Sequence, residues 1–217
     1  MGAIMIKDYL KDRILVTDGA MGTYYMKDKV NTVPCCELAN ILNPEKIKKI
    51  HMEYIEAGAK LIRTNTFAAN REALDVTNEE LKKIIVKGYE IAKDAAKGKD
   101  IFVAASIGPI RTNVEENVDI FSEYKYIVDN FLEIGADIFI FETFSKLDYL
   151  DEISTYIKGK NKDAFIITNF AIMGDGFTRD GAVSYTHLDV YKRQSAQCTV
   201  EVVFPCGKNM IVLRTAE

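Results

Sequence analysis

The chain has 217 residues, 48% hydrophobic and 28% charged, a globular balance with enough material for one sizeable core. A formal net charge of −4 without a Lys/Arg cluster excludes nucleic acid as the main partner, because phosphate binding needs a concentrated basic surface. The apolar runs are strand-sized, so nothing reads as a membrane span, and the N-terminus, broken by Lys7, Asp8, Lys11 and Asp12, is no secretory signal; a cytoplasmic location is expected.

Met5 to Asp12 reads as a short amphipathic helix and Ile14 to Asp18 as the first strand. The β-branched run stops at Asp18, and Gly19, Ala20, Met21, Gly22 and Thr23 follow. An acid at a strand's C-terminal edge can hold a cation, while glycines at 19 and 22 permit positive φ and let backbone N–H groups approach a carboxylate. That describes an amino-acid-binding corner, although an Asp-Gly pair alone also makes an ordinary turn. Tyr24 to Asn43 reads as irregular. Pro44 and Glu45 suit a helix's first turn, Ile47, Ile50, His51, Tyr54 and Ile55 share one face, and Gly58 ends the helix. On that apolar stripe His51 reads as a packed, hydrogen-bonded histidine.

Lys60 to Phe67 is a second strand, Asn78 to Lys97 a long helix, Ile101 to Ser106 a third strand, Ile120 to Ile134 a helix and Asp137 to Phe144 a fourth strand. Leu147 to Lys160 is helical and Ala164 to Ala171 the fifth strand. Near-continuous apolar strands alternating with amphipathic helices predict a parallel sheet covered by helices. Residues 57–67 (AGAKLIRTNTF) align without gaps on 134–144 (IGADIFIFETF), about two βα units further on. Polar residues recur at the strand ends: Asp18, Asn65, Ser106, Glu142 and Asn169. In a (β/α)8 TIM barrel those ends converge on one mouth, and the expected fold is an incomplete α/β barrel of this kind with about five βα units. The runner-up, a doubly wound open sheet, lacks the G-x-G-x-x-G turn.

DGAMGT at 18–23, the run from Pro44 to Asn70, ASIGP at 105–109 and FETF at 141–144 resemble the homocysteine S-methyltransferase family, whose members include the homocysteine module of methionine synthase. The motifs stand in the family's order and spacing over Met5 to about Gly181, with the nearest likeness to bifunctional proteins in which this domain precedes a methylenetetrahydrofolate reductase domain. The resemblance implies transfer of a methyl group to the homocysteine thiol to form methionine, and Zn²⁺ on three cysteines that keeps the thiol as thiolate. The implied methyl donor is methyltetrahydrofolate or methylcobalamin, and folate or cobalamin domains are possible neighbours. Asp18 and Glu142 match the acids that bind the α-ammonium group, and residues 19–23 match the carboxylate cradle. Asn65, Ser106 and Asn169 complete the expected substrate-binding set.

The four cysteines, Cys35, Cys36, Cys198 and Cys206, make no disulfide framework in a chain of this length. Cys35-Cys36 lies in a loop after the first strand without flanking glycines and reads as ordinary thiols; Cys198 and Cys206 lie beyond the resemblance and lack a third thiol. No zinc set is therefore expected in the chain as it stands.

Ala182 to Gln194 back-translates to a DNA string that, apart from its first base, equals its own reverse complement, resembling two transposon mosaic ends joined head to head. The expected division is 1–181, the N-terminal part of a homocysteine-binding barrel, and 182–217, an artefactual or unrelated tail, with a divergent natural ending as the alternative. A barrel of five or six strands is also expected to leave inward-facing residues at or beside Val16, Ile62, Val103, Phe139 and Ile166 open to water. The competing functional reading is a non-catalytic, metal-free amino-acid-binding or regulatory module.

Overall fold

The structure, a computed structural model, describes residues 5–27, 33–111, 119–145, 149–171 and 177–178, and the backbone of 198–203. The elements in chain order are α1 (Ile6–Asp12), α2 (Met21–Tyr25), a 3-10 turn (Cys36–Leu38), α3 (Ala39–Leu42), α4 (Pro44–Glu56) and β1 (Leu61–Arg63). Then come α5 (Arg71–Leu74), α6 (Asn78–Ala96), β2 (Phe102–Ile107), α7 (Ile120–Glu133), β3 (Ile138–Phe144), α8 (Leu150–Lys160), β4 (Phe165–Ala171) and β5 (Cys198–Val203).

Every strand pairs in parallel with the next, in the spatial order β1-β2-β3-β4-β5. Ahead of β1, Thr17 bridges Leu61 in parallel, Asp18 donates its N–H to the Leu61 carbonyl at 2.9 Å and Lys60 donates to the Val16 carbonyl at 2.8 Å. The expected first strand is thus present as an extended segment seated on β1. Sequential order without reversal is the topology of a singly wound barrel and not of a doubly wound sheet, where order switches direction.

Alternation along the strands divides the core in two. Ile62, Val103, Ala105, Ile107, Phe139, Phe141, Ile166 and Phe170 point outward and pack with Ile84, Ile85, Phe131, Ile153 and Ile157 of the covering helices. Leu15, Leu61, Ala104, Ile138, Ile140, Phe165 and Ile167 point inward and form a second cluster with Ile6, Tyr9 and Leu10 of α1. Tyr9 meets Phe102 edge-on at 5.6 Å. The interior of the described barrel is therefore buried, contrary to the expectation of uncovered inward residues, because α1 packs against that layer and supplies apolar partners. On the opposite face of the first segment, Ile14 and Val16 are 54% and 44% exposed.

The internal alignment is a structural one. Gly58 and Gly135 end α4 and α7 with φ of 105° and 79°, a left-handed stop that an L side chain resists, and a parallel strand follows each. The stretch expected to be irregular contains the end of α2, the 3-10 turn and α3, all too short for a periodic apolar signal. The second strand is only Leu61–Arg63, since the chain after Arg63 turns to side-chain bonding: Thr64 and Thr66 hydroxyls lie 2.6 Å apart and Thr66 donates to the Ser106 carbonyl at 2.8 Å. His51 is packed as expected, but both its ring nitrogens lack a hydrogen-bond partner among the described residues. Ala182 to Gln194, Cys206 and the boundary at Gly181 lie outside the described residues; beyond them, β5 runs parallel to β4 from Ile166↔Cys198 to Ala171↔Val203.

Candidate active site

The inward alternation that buries Leu61, Ala104, Ile140 and Ile167 places Arg63, Ser106, Glu142 and Asn169 two residues further along each strand, at the C-terminal mouth. There they line a cavity of about 420 Å³ together with residues 18–23, Cys36, Glu37, Thr64, Asn65, Phe67 and Thr143. All ten residues expected to bind substrate, Asp18, Gly19, Ala20, Met21, Gly22, Thr23, Asn65, Ser106, Glu142 and Asn169, share this wall.

The two acids are not free to face a ligand together. Arg63 stands between them: its Nε donates to Asp18 Oδ1 at 2.7 Å, its backbone N–H to Asp18 Oδ2 at 2.9 Å, and its Nη1 to Glu142 Oε2. Its Nη2 donates to the carbonyls of Asp18 at 3.0 Å and Gly19 at 2.8 Å. Ser106 Oγ donates to the other oxygen of Glu142. Burial pushes the Asp18 carboxyl up to about 6, with Arg63 opposing; burial alone would lower Arg63, but Glu142 and Asp18 overcome it and hold the guanidinium charged. Asp18, Glu142 and Arg63 sum to one negative charge. A further acid, Glu37, lies in the same wall and accepts from the Cys35 thiol at 2.7 Å and the Ala68 N–H at 2.8 Å. A cavity with this charge excess suits a small cation-bearing ligand.

The ladder breaks at Glu142. The pairing of β3 with β4 shifts register between Phe141 and Phe144, and Thr143 takes φ 58°, a left-handed conformation costly for a β-branched residue. Such strain gathers at sites where surrounding structure over-determines the backbone.

The glycines at 19 and 22 act otherwise than expected. Neither has the left-handed φ seen at Gly58, and Gly22 lies within α2. What Gly19 permits is close approach: a Cβ there would lie 2.8 Å from the Tyr54 hydroxyl, which donates to the Ala20 carbonyl at 3.2 Å and clamps the turn. Asn65 is also committed: its amide donates to Asn40 Oδ1 at 2.9 Å and the Cys36 carbonyl at 2.8 Å, and its Oδ1 accepts from Cys36 Sγ at 3.1 Å. It holds the Cys36 loop against the wall.

The Arg63 clasp, Glu37 and Thr143 were not singled out from sequence. Arg63 had a signal, as the lone charge in the stretch 61–67, at inward register from Leu61. For Glu37, brought in by a short turn, periodicity offered nothing.

No three His, Cys, Asp or Glu side chains come together as a metal set among the described residues. Burial pushes the Cys35 and Cys36 thiols up to about 11 and 12, so both stay protonated at neutral pH and donate to Glu37 and Asn65. These thiols do not fit the thiolate zinc site that the resemblance implies.

A parallel barrel with an acid-rich mouth defines the class, and comparison with known proteins gives the family. The chain belongs to the homocysteine S-methyltransferase family, whose sequence profile matches residues 15–212. It is 27% identical to homocysteine S-methyltransferase of Escherichia coli K12, across 76% of this chain and 63% of that protein. It is 33% identical to methionine synthase of Mycobacterium tuberculosis, across 47% of this chain and 10% of that protein. The chain thus spans under two thirds of the first relative and about a tenth of the second. In fold it is similar to the homocysteine methyltransferase MmuM from Escherichia coli: TM-score 0.75 and 21% identity to the metallated form, covering 91% of this chain and 77% of that one. For the apo form the values are 0.70 and 22%, covering 89% and 73%.

Proposed function

We propose that this chain is the homocysteine-binding part of an enzyme that transfers a methyl group to the homocysteine thiol, forming methionine. The observation that carries the reading is the mouth of the barrel, where Asp18 and Glu142 with Arg63 between them leave one negative charge in excess in a cavity sized for an amino acid. Family membership supports it. The substrate-binding set is the ten wall residues named above, with Glu142 on the α-ammonium. Zinc activation of the thiol belongs to the longer protein, as do the donor, methyltetrahydrofolate or methylcobalamin, and any attached reductase, folate or cobalamin domain. The proposed setting is cytoplasmic; among the described residues no helix is long and apolar enough to cross a membrane.

We also propose that 182–194 is a junction introduced in assembly, on the strength of its self-complementary back-translation. Resequencing the locus across Gly181 tests it, and an unchanged read would remove it.

The competing reading is a metal-free amino-acid-binding module that uses the same Asp18 and Glu142 corner. Calorimetric titration of L-homocysteine into the reduced chain tests the binding reading, with saturable binding expected and its absence from a folded sample counting against it. Zinc content and methyl transfer by the full-length gene product separate the enzyme from the module.

A further inference from the structure

Helix α6 buries one face, where Leu81, Ile84, Ile85, Tyr89 and Ala92 join the layer outside the strands. Its other face carries Glu79, Lys82, Val86, Glu90 and Lys93, four exposed charges and a half-buried valine. At about 3.6 residues per turn these five positions fall within about a quarter of the helix circumference, so they form one stripe pointing away from the core. Beside the stripe a groove runs between α6 and α3, lined by Val86, Ile41 and the stems of Lys82, Lys83 and Lys87. Ile41 and its neighbour Leu42 are 49% and 68% exposed, two adjacent aliphatic side chains whose burial against a partner would be favourable.

Along the stripe the order is acid, base, valine, acid, base. Lys82 and Glu90 stand equally far on either side of Val86, about one turn away, and Glu79 and Lys93 equally far at about two turns. When a second α6 is laid antiparallel with a two-fold axis at Val86, each acid meets a base: Glu79 faces the partner's Lys93 and Lys82 faces the partner's Glu90, each contact made twice. A parallel alignment would set every charge against its own copy, so the stripe complements itself in one direction alone. The ion pairs these residues make within the chain do not hold them back. Lys82 meets Glu133 of α7 at 2.6 Å and Glu90 meets Lys87 at 3.3 Å, but both pairs are exposed, where such contacts contribute little. We propose that the outer face of α6, with Ile41 and Leu42, is a self-association surface on which a second copy of this chain docks antiparallel to form a two-fold dimer. None of these residues lines the mouth of the barrel, so the surface is independent of the site described above.

Sedimentation velocity of the 217-residue chain over a concentration series tests the dimer. The wild type is expected to pass reversibly from monomer to dimer. Lys82→Glu and Glu90→Lys should each weaken dimerisation about tenfold or more, because the axis repeats the repulsive contact twice. Mixing the two single variants restores opposite charge at both contacts, so the mixture should form a heterodimer tighter than either variant's own dimer. The double variant Lys82→Glu/Glu90→Lys should dimerise within about threefold of wild type. Glu79→Lys and Lys93→Glu supply a second pair for the same cycle should either variant of the first fail to fold. A wild type that stays monomeric leaves this face to a different protein or domain and overturns the proposal. So does a dimer insensitive to the single reversals, or one that they weaken and that neither mixing nor the double variant restores.

Discussion

Asp18 grips Arg63 twice, accepting from its backbone N–H at 2.9 Å and from its side-chain Nε at 2.7 Å, so that one carboxylate sets both where the residue stands and where its guanidinium points. Both partners are largely withdrawn from water, with side chains 1% and 15% exposed. Because the pair is buried, removing one partner costs more than the pair contributes.

That relationship separates two substitutions that sequence reading treats alike. Asp18→Asn should chiefly lower stability, by roughly 2–3 kcal/mol, less than breaking an isolated buried pair because Glu142 still faces the guanidinium. Glu142→Gln should chiefly weaken homocysteine binding, by about 1.5–3 kcal/mol, with a smaller change in melting. Urea unfolding and calorimetric titration of both variants check this, and equal profiles would contradict the division of roles.

The adjacent cysteines are expected to be dispensable for metal. Replacing Cys35 and Cys36 together by Ser in the full-length gene product should leave zinc stoichiometry and turnover near wild type, since a serine hydroxyl can still donate to Glu37 and Asn65 as the thiols do. Loss of one zinc per chain, measured by atomic absorption, would reverse the assignment.

His51 gives the fold a pH dependence. Burial lowers it from 6.5 to about 4, so between those values the unfolded chain binds a proton that the folded chain refuses. Stability from this group is complete above about 6.5 and falls as pH drops toward 4, by up to roughly 3 kcal/mol. Asp18, raised in the folded state, acts in the opposite sense as it takes up a proton below about 6. The clean observable is therefore the difference between wild type and His51→Leu: from pH 7 to pH 4.5 the urea midpoint of the wild type should fall relative to that of the variant. A pH-independent difference would sink the assignment.

Gly88 sits inside α6, where alanine ordinarily stabilises by about 1 kcal/mol. Here a Cβ would lie 2.6 Å from Asn40 Nδ2 and 2.9 Å from Thr66 Cγ2. Asn40 donates to the carbonyls of Asn65 at 2.8 Å and Ile84 at 3.2 Å, so it cannot move without releasing the wall of the cavity. Gly88→Ala should therefore destabilise, by about 1–3 kcal/mol, the range for overpacking a filled interior. A raised melting temperature would show that Asn40 yields more freely than its bonds imply.

Periodicity and punctuation determined the barrel. The long helices from Pro44, Asn78 and Ile120 and the strands ending at Ile107, Phe144 and Ala171 were legible because an amphipathic or buried element must repeat its apolar positions at 3.6 or 2 residues. The polar strand ends marked the mouth for the same reason, since every parallel strand finishes on one side. Tertiary structure alone decided what those ends do to one another. Arg63 and Glu142 lie on strands separated by β2, and Glu37 arrives from a three-residue turn; no local pattern encodes such neighbours, because charge pairing acts through space and sequence spacing carries no trace of it. The closing of the inner layer by α1 was equally invisible, as an amphipathic heptamer says that it must bury one face and not which surface will cover it.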